Sequence, residues 1–174
     1  MKPDSILEKE QQIKIHWANP DPGETGCMGE LLWAVYKGEG IAEVKNIPFL
    51  TNEFGLHDLV RIEIDEKDHL EIVEVVNRVS RTIHATWEIQ SDPMPQVCGK
   101  CYPEAVEEHK DNIQEVDKEN WRRIRTHLKS YQGVSVEPGT IGLISISVPK
   151  SMDDESVAEM CDACPVSLDY QLEE

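Results

Sequence analysis

Lys118-Glu119-Asn120-Trp121-Arg122-Arg123-Ile124-Arg125-Thr126-His127-Leu128-Lys129-Ser130-Tyr131 is where the hydrophobic pattern of this chain changes from strand-like to helical. Trp121, Ile124, Leu128 and Tyr131 recur at helical spacing and predict a helix over 118–131. Asp117 is placed to cap it, with Val116 and Trp121 positioned for a hydrophobic staple. Before it, Ile83, Ala85, Trp87 and Ile89 form one face of a strand. After it, Val134 and Val136 form a short strand turned by Glu137-Pro138-Gly139, and Thr140 to Val148 follows with Ile144, Ile146 and Val148 on one face. Ser151 can cap a helix running to about Cys161, and Ser167 to Leu172 reads as a closing strand. With residues 91–116 set aside, the order is β-α-β-β-α-β, the split arrangement of a ferredoxin-like sandwich.

The first half keeps the period of strands. Ile13, Ile15 and Trp17 alternate with Lys14 and His16, and Asn19 to Gly29 is a Pro- and Gly-rich loop. Leu31 to Tyr36 and Ile41 to Ile47 pair around Lys37-Gly38-Glu39-Gly40. Val60, Ile62 and Ile64 lead through Asp65-Glu66-Lys67-Asp68 into Leu70 to Val76. The expected fold is α+β: a flexible N-terminus over 1–12, a small twisted β-rich subdomain over 13–80, and a ferredoxin-like subdomain over 81–174 with an insert at 91–116. Residues 104–115 are acidic and expected to be helical, with a weak apolar stripe.

Two CxxC pairs carry the most specific chemistry, Cys98-Gly99-Lys100-Cys101 in the insert and Cys161-Asp162-Ala163-Cys164 at the end of the second helix. Each tight turn offers two sulfurs, and four thiolates complete the tetrahedron of a closed, structural zinc site. Bound by all four, zinc would pin the insert onto the second helix. Buried core thiols are the main alternative, because reduced cysteine packs as a small hydrophobe. A redox pair at Cys98 and Cys101 is the weaker alternative, since the residues before it are loop-like rather than a strand. His109, eight residues past Cys101, reads as an exposed side chain of an acidic helix, and Cys27 as an isolated thiol.

The chain of 174 residues carries 34 Asp and Glu against 17 Lys and Arg, a formal net charge of −17. Such a surface repels phosphate backbones, so direct nucleic-acid binding is not expected, and it favours a basic protein partner. A DNA-mimicking acidic face is a more specialised version of the same idea. No apolar run reaches membrane-spanning length, and Met1 to Gln12 is polar, so a cytoplasmic location without a membrane is expected. Phosphate loops, GxGxxG, HExxH and GxSxG motifs are lacking from the sequence. Ser145 and Ser147 read as facing out from their strand rather than as nucleophiles, and Thr82, His84, Thr86 and Glu88 as a solvated sheet face, with the lining of a small pocket as the alternative.

Glu30-Leu31-Leu32-Trp33-Ala34, Asn46-Ile47-Pro48-Phe49 and Asp58-Leu59-Val60 occur in an order that resembles the bacterial family catalogued as domain of unknown function 4265. Gly142 to Val148 with Pro149 is similar to that family's strand ending in Val-Pro. The resemblance covers roughly residues 13–90 and 117–173, and it implies no reaction. Both CxxC pairs depart from the pattern, so zinc rests on this chain's own cysteines. Asn46-Ile47-Pro48-Phe49 reads as an architectural corner in which Asn46 bonds nearby backbone and Phe49 plugs the core. Its alternative is a ligand pocket lined by Trp33, Asn46 and Asp58. The leading functional expectation is a non-enzymatic binding or regulatory module that recognises a basic protein through an acidic surface. A zinc- or thiol-dependent enzyme and an acidic DNA mimic are the alternatives, and the oligomeric state is open.

Overall fold

A computed structural model describes residues 3–20, 29–87, 118–139 and 142–172. The alternating residues of the first half form β1 (Gln12–Ala18), β2 (Gly29–Gly38), β3 (Ile41–Val44), β4 (Leu59–Ile64) and β5 (Leu70–Asn77). Each strand pairs antiparallel with the next, and a parallel contact between His16 and Glu71 closes the sheet into a barrel. Ile13, Ile15, Trp17, Leu32, Ala34, Tyr36, Val60 and Ile62 fill its interior with Phe54. Glu39 (φ 57°) and Gly40 (φ 72°) turn β2 into β3 in the left-handed pair that matches the strands' own twist.

Closure depends on irregular pairing in β5. Ile72 lies opposite Ile62 and Glu74 opposite Arg61, so Val73 is an extra residue; Val76 is another, between Val75 and Asn77. Bulges of this kind increase local twist, and both extra valines point outward. A short 3-10 turn, Pro3–Ser5, lies against β4 at the barrel end. The Tyr36 hydroxyl and the Glu39 backbone N–H both donate to Asp4 Oδ1 there.

The chain passes across residues 78–79 into a second sheet. It contains β6 (Ser80–Trp87), β7 (Ser135–Pro138), β8 (Leu143–Pro149) and β9 (Leu168–Tyr170), in the order β7-β8-β6-β9 with every pair antiparallel. Helix α1 (residues 118–128) and α2 (Asp154–Asp162) cover one face. Ile124 and Leu128 of α1 meet Val157, Met160 and Cys161 of α2 over Ile83, Ala85, Ile144, Ile146 and Val148. The fold is therefore α+β, with two mainly antiparallel sheets and a helical layer.

Three local expectations are corrected. The cap of α2 is Asp153, not Ser151: Asp153 is extended (φ −76°, ψ 166°) and its Oδ1 accepts from Ser156 N at 2.8 Å. Ser151 is used up in the preceding turn, where Met152 N donates to Pro149 O. Phe49 is only half-buried, and Ile47 and Phe54 are the fully buried residues of the corner. Ser145 and Ser147 are not solvated; both are buried. Asp117, Ile89, Cys27, His109, the helix expected at 104–115 and the whole 91–116 insert lie outside the described residues.

Candidate functional site

Three places could carry function: the second CxxC corner, the joint between the sheets, and the charged outer face of the helical layer. At the first, the inward face of α2 carries Cys161 into the core, 2% exposed, with Cys164 half-buried beside it. Both thiols are free. Burial pushes the Cys161 thiol up to about 11, and Cys164 and Asp162 add to that. Burial also raises Cys164, opposed by a hydrogen bond from the Val166 backbone N–H and by the charge of Arg123. Arg123 is held there because its Nη2 donates to Pro165 O at 2.9 Å. Cys98 and Cys101 lie outside the described residues, and among the described residues no three His, Cys, Asp or Glu side chains cluster as metal ligands do.

The joint between the sheets explains the buried serines. Residues 45–58 cross from β3 to β4 without regular pairing, so their carbonyls need donors from elsewhere. The polar face of the second sheet supplies them. Ser145 Oγ (2.9 Å) and His84 Nε2 (3.1 Å) both reach Pro48 O, which fixes the imidazole proton on Nε2. Thr82 Oγ1 donates to Phe54 O at 3.1 Å, and Ser80 Oγ to Leu56 O at 2.8 Å. On the other flank, Ile47 N donates to Glu137 Oε2 at 3.3 Å, while Phe49 N and Leu50 N share Glu30 Oε2. Burial raises the Glu137 carboxyl above its ordinary value, the Ile47 N–H opposes this, and Glu30 adds to it.

Trp33 and Asn46 meet, because Trp33 N donates to Asn46 Oδ1 at 2.7 Å. The Trp33 ring is 45% exposed, and the Lys14 ammonium sits 4.8 Å from its centroid. Asp58 is engaged elsewhere and is fully buried. Its Oδ2 accepts from Gly55 N at 2.8 Å and its Oδ1 from Val79 N and Ser80 N at 2.7 and 3.0 Å. These bonds tie the β4 entry to the start of β6. Trp33 and Asn46 thus serve one structural joint and Asp58 another.

The helical layer is polarised in charge, a feature that a chain-wide total conceals. Lys118, Arg122, Arg123, Arg125 and Lys129 cluster along α1 and its exit, with Glu119 alone opposing them. Asp153, Asp154, Glu155, Glu159 and Asp162 line α2 and its cap, and residues 151–174 hold no lysine or arginine. All ten are exposed, while His127 Nε2 and Met160 O, 2.8 Å apart, join the two helices. Counting charges segment by segment along the sequence would have found this division.

Two concavities hold cations that are engaged in part or in full. One, of about 570 Å³, is lined by Arg78, Arg81, His84, Thr86, Asp169 and Tyr170. Its guanidiniums are already engaged: Arg78 donates to Asn52 O, and Arg81 donates to Asp154 Oδ1 and Met152 O. Another, of about 600 Å³, lies between the barrel loop and α1, lined by Lys45, Leu56, His57, Trp121, Arg125 and Lys129 together with residues 135–138. Lys45 and His57 of this second concavity both bond Glu43.

No protein-family model matches the chain, and no curated protein matches it. Among solved structures, a hypothetical protein from Neisseria gonorrhoeae is similar in fold, with a TM-score of 0.53 and 15% sequence identity over 93% of this chain and 95% of that one. That likeness concerns the fold alone. Among the described residues, no helix is long and apolar enough to cross a membrane.

Proposed function

We propose that this chain is a cytoplasmic binding or regulatory module that recognises a basic protein partner through its acidic surface. The observation that carries this reading is α2. Its exposed Asp154, Glu155, Glu159 and Asp162, of which Asp154 is paired with Arg81, make the outer side of a helix held in place by a buried inner stripe acidic. The side chains that could have served catalysis at the sheet joint, Ser145, His84 and Asp58, are spent on backbone groups there. Association through exposed carboxylates is steered electrostatically and weakens with salt.

Two structural parts belong to the same proposal. The second sheet and its helices form a ferredoxin-like β-α-β-β-α-β unit, a reading supported by the strand order β7-β8-β6-β9. A structural zinc joins Cys98 and Cys101 to Cys161 and Cys164. The spacing of Cys161 and Cys164, with Cys164 half-buried beside its partner, supports this. The relation to domain of unknown function 4265 is likewise a proposal, supported by the Asn46 and Pro48 bonds at the corner.

The test is affinity capture from cells that make the protein, at low and high salt, with wild type and a Glu155→Gln/Glu159→Gln variant. A stoichiometric basic partner, released by salt and lost from the variant, is expected. A partner bound equally by the variant overturns the role of α2, and no complex at low salt overturns the module. Elemental analysis with a free-thiol count tests the zinc: one metal per chain with four protected thiols is expected, and no metal with every thiol free removes it.

A further inference from the structure

We infer that α1 and the cleft beside it are a second docking surface, of opposite sign to α2, which takes a short acidic segment of a partner polypeptide. Arg125 and Lys129 stand one turn apart on the exposed face, and neither side chain has an acidic partner among the described residues. Like charges at this spacing cost a few tenths of a kcal/mol. In a chain with twice as many acids as bases, they stay uncompensated among the described residues. Their position near the helix C-terminus relieves part of that repulsion through the helix dipole. It does not account for the cleft beside them, where Trp121, Leu56 and Pro138 give apolar walls and Lys45 is already paired with Glu43. Glu137 is the one carboxylate of that lining, and it is turned to Ile47 N.

The shape favours an extended occupant. Trp121, Arg125 and Lys129 line both this cleft and a smaller hollow with Arg122, Thr126 and Ser130; a third hollow continues past Glu119, Arg122, Arg123 and His127. The surface therefore runs along α1, whose residues 118–128 span roughly 16 Å. An extended segment of about five residues covers that length. Carboxylates would meet Arg125 and Lys129, with one apolar side chain against Trp121, while Arg122 is already paired with Glu119 at 2.8 Å. Nucleic acid presents the same sign, but its long-range field meets a chain of net charge −17, whereas a short acidic segment meets only the local surface.

The probe is a fluorescein-labelled peptide, Glu-Asp-Glu-Phe-Glu-Glu, titrated with the full chain by anisotropy. A lysine-substituted peptide and a labelled single-stranded oligonucleotide serve as comparisons. The acidic peptide is expected to bind, and to weaken by about tenfold or more in Arg125→Glu/Lys129→Glu. Both positions are exposed, and an unchanged melting temperature shows that the variant is folded. Glu155→Gln/Glu159→Gln is expected to leave this binding intact, which separates this surface from the one on α2. No binding at low salt, equal binding to the charge-reversed variant, or preference for the oligonucleotide would each overturn the inference.

Discussion

Ser145 Oγ donates to the Pro48 carbonyl oxygen at 2.9 Å, joining a strand of the second sheet to the loop of the barrel across 97 positions of sequence. His84 Nε2 reaches the same oxygen, so one buried carbonyl is held by both neighbouring strands, β6 and β8. The joint is polar because the loop that makes it has no ladder of its own.

Ser145→Ala should cost about 1–2 kcal/mol, since it removes one donor from a buried acceptor. His84→Ala should cost less, because the imidazole is only partly buried. The double variant should cost more than the sum, as the carbonyl then loses both donors. Urea unfolding of the three variants measures this, and strict additivity would show that the bonds are independent.

Asp58→Asn replaces one carboxylate oxygen with a donor, although both oxygens accept from backbone N–H groups. One of Gly55, Val79 or Ser80 must then face an amide N–H. A loss of about 2–3 kcal/mol is expected in thermal or urea unfolding. A variant as stable as wild type would remove Asp58 from its role as the clamp between β4 and β6.

Two carboxylates should give opposite pH dependences. Burial pushes Glu43 up, but hydrogen bonds from Lys45, His57 and Lys37 outweigh it and bring its pKa from 4.5 to about 2. The folded state therefore binds fewer protons than the unfolded chain in that window, and stability falls as pH drops from about 4.5 to about 2. Glu43→Gln should flatten that acid limb. Glu137 is raised, mainly by burial, so its contribution is full below its ordinary value of 4.5 and is lost as pH rises through the folded pKa. Glu137→Gln should remove that loss and leave the acid limb of Glu43 in place. Melting temperatures from pH 2 to pH 8 check both signs.

Cys161, with its thiol near 11, should alkylate far more slowly than Cys164 at pH 8 in metal-free protein. Mass spectrometry of partially alkylated protein resolves the order. Cys161→Ser should cost about 1–3 kcal/mol, because it buries a hydroxyl among Ile83, Met160 and Val157. Equal labelling of the two thiols would place Cys161 outside the core.

Much of the secondary structure was legible because alternation and helical spacing report which face is buried. Ile13, Ile15 and Trp17, and again Ile144, Ile146 and Val148, are buried as their spacing predicts. The helix over α1 was read from Trp121, Ile124 and Leu128 for the same reason. The α2 cap was misplaced because Ser151 and Asp153 can both accept a hydrogen bond; only the turn at Pro149 shows which residue enters the helix. The exposure of Ser145 and Ser147 was misread because alternation gives a residue's face and not what covers that face.

The sequence by itself determined the local elements, the opposite charges of the two helices and the spacing of the cysteines. Each depends on residues close together in the chain. Only the tertiary structure decided that β1 and β5 close a barrel, that Asp58 and Ser145 hold the two sheets together, and that Arg125, Lys129 and Trp121 share a cleft with Lys45. Those relationships join groups far apart in sequence, and they follow from which buried polar atoms find partners once the two cores have packed.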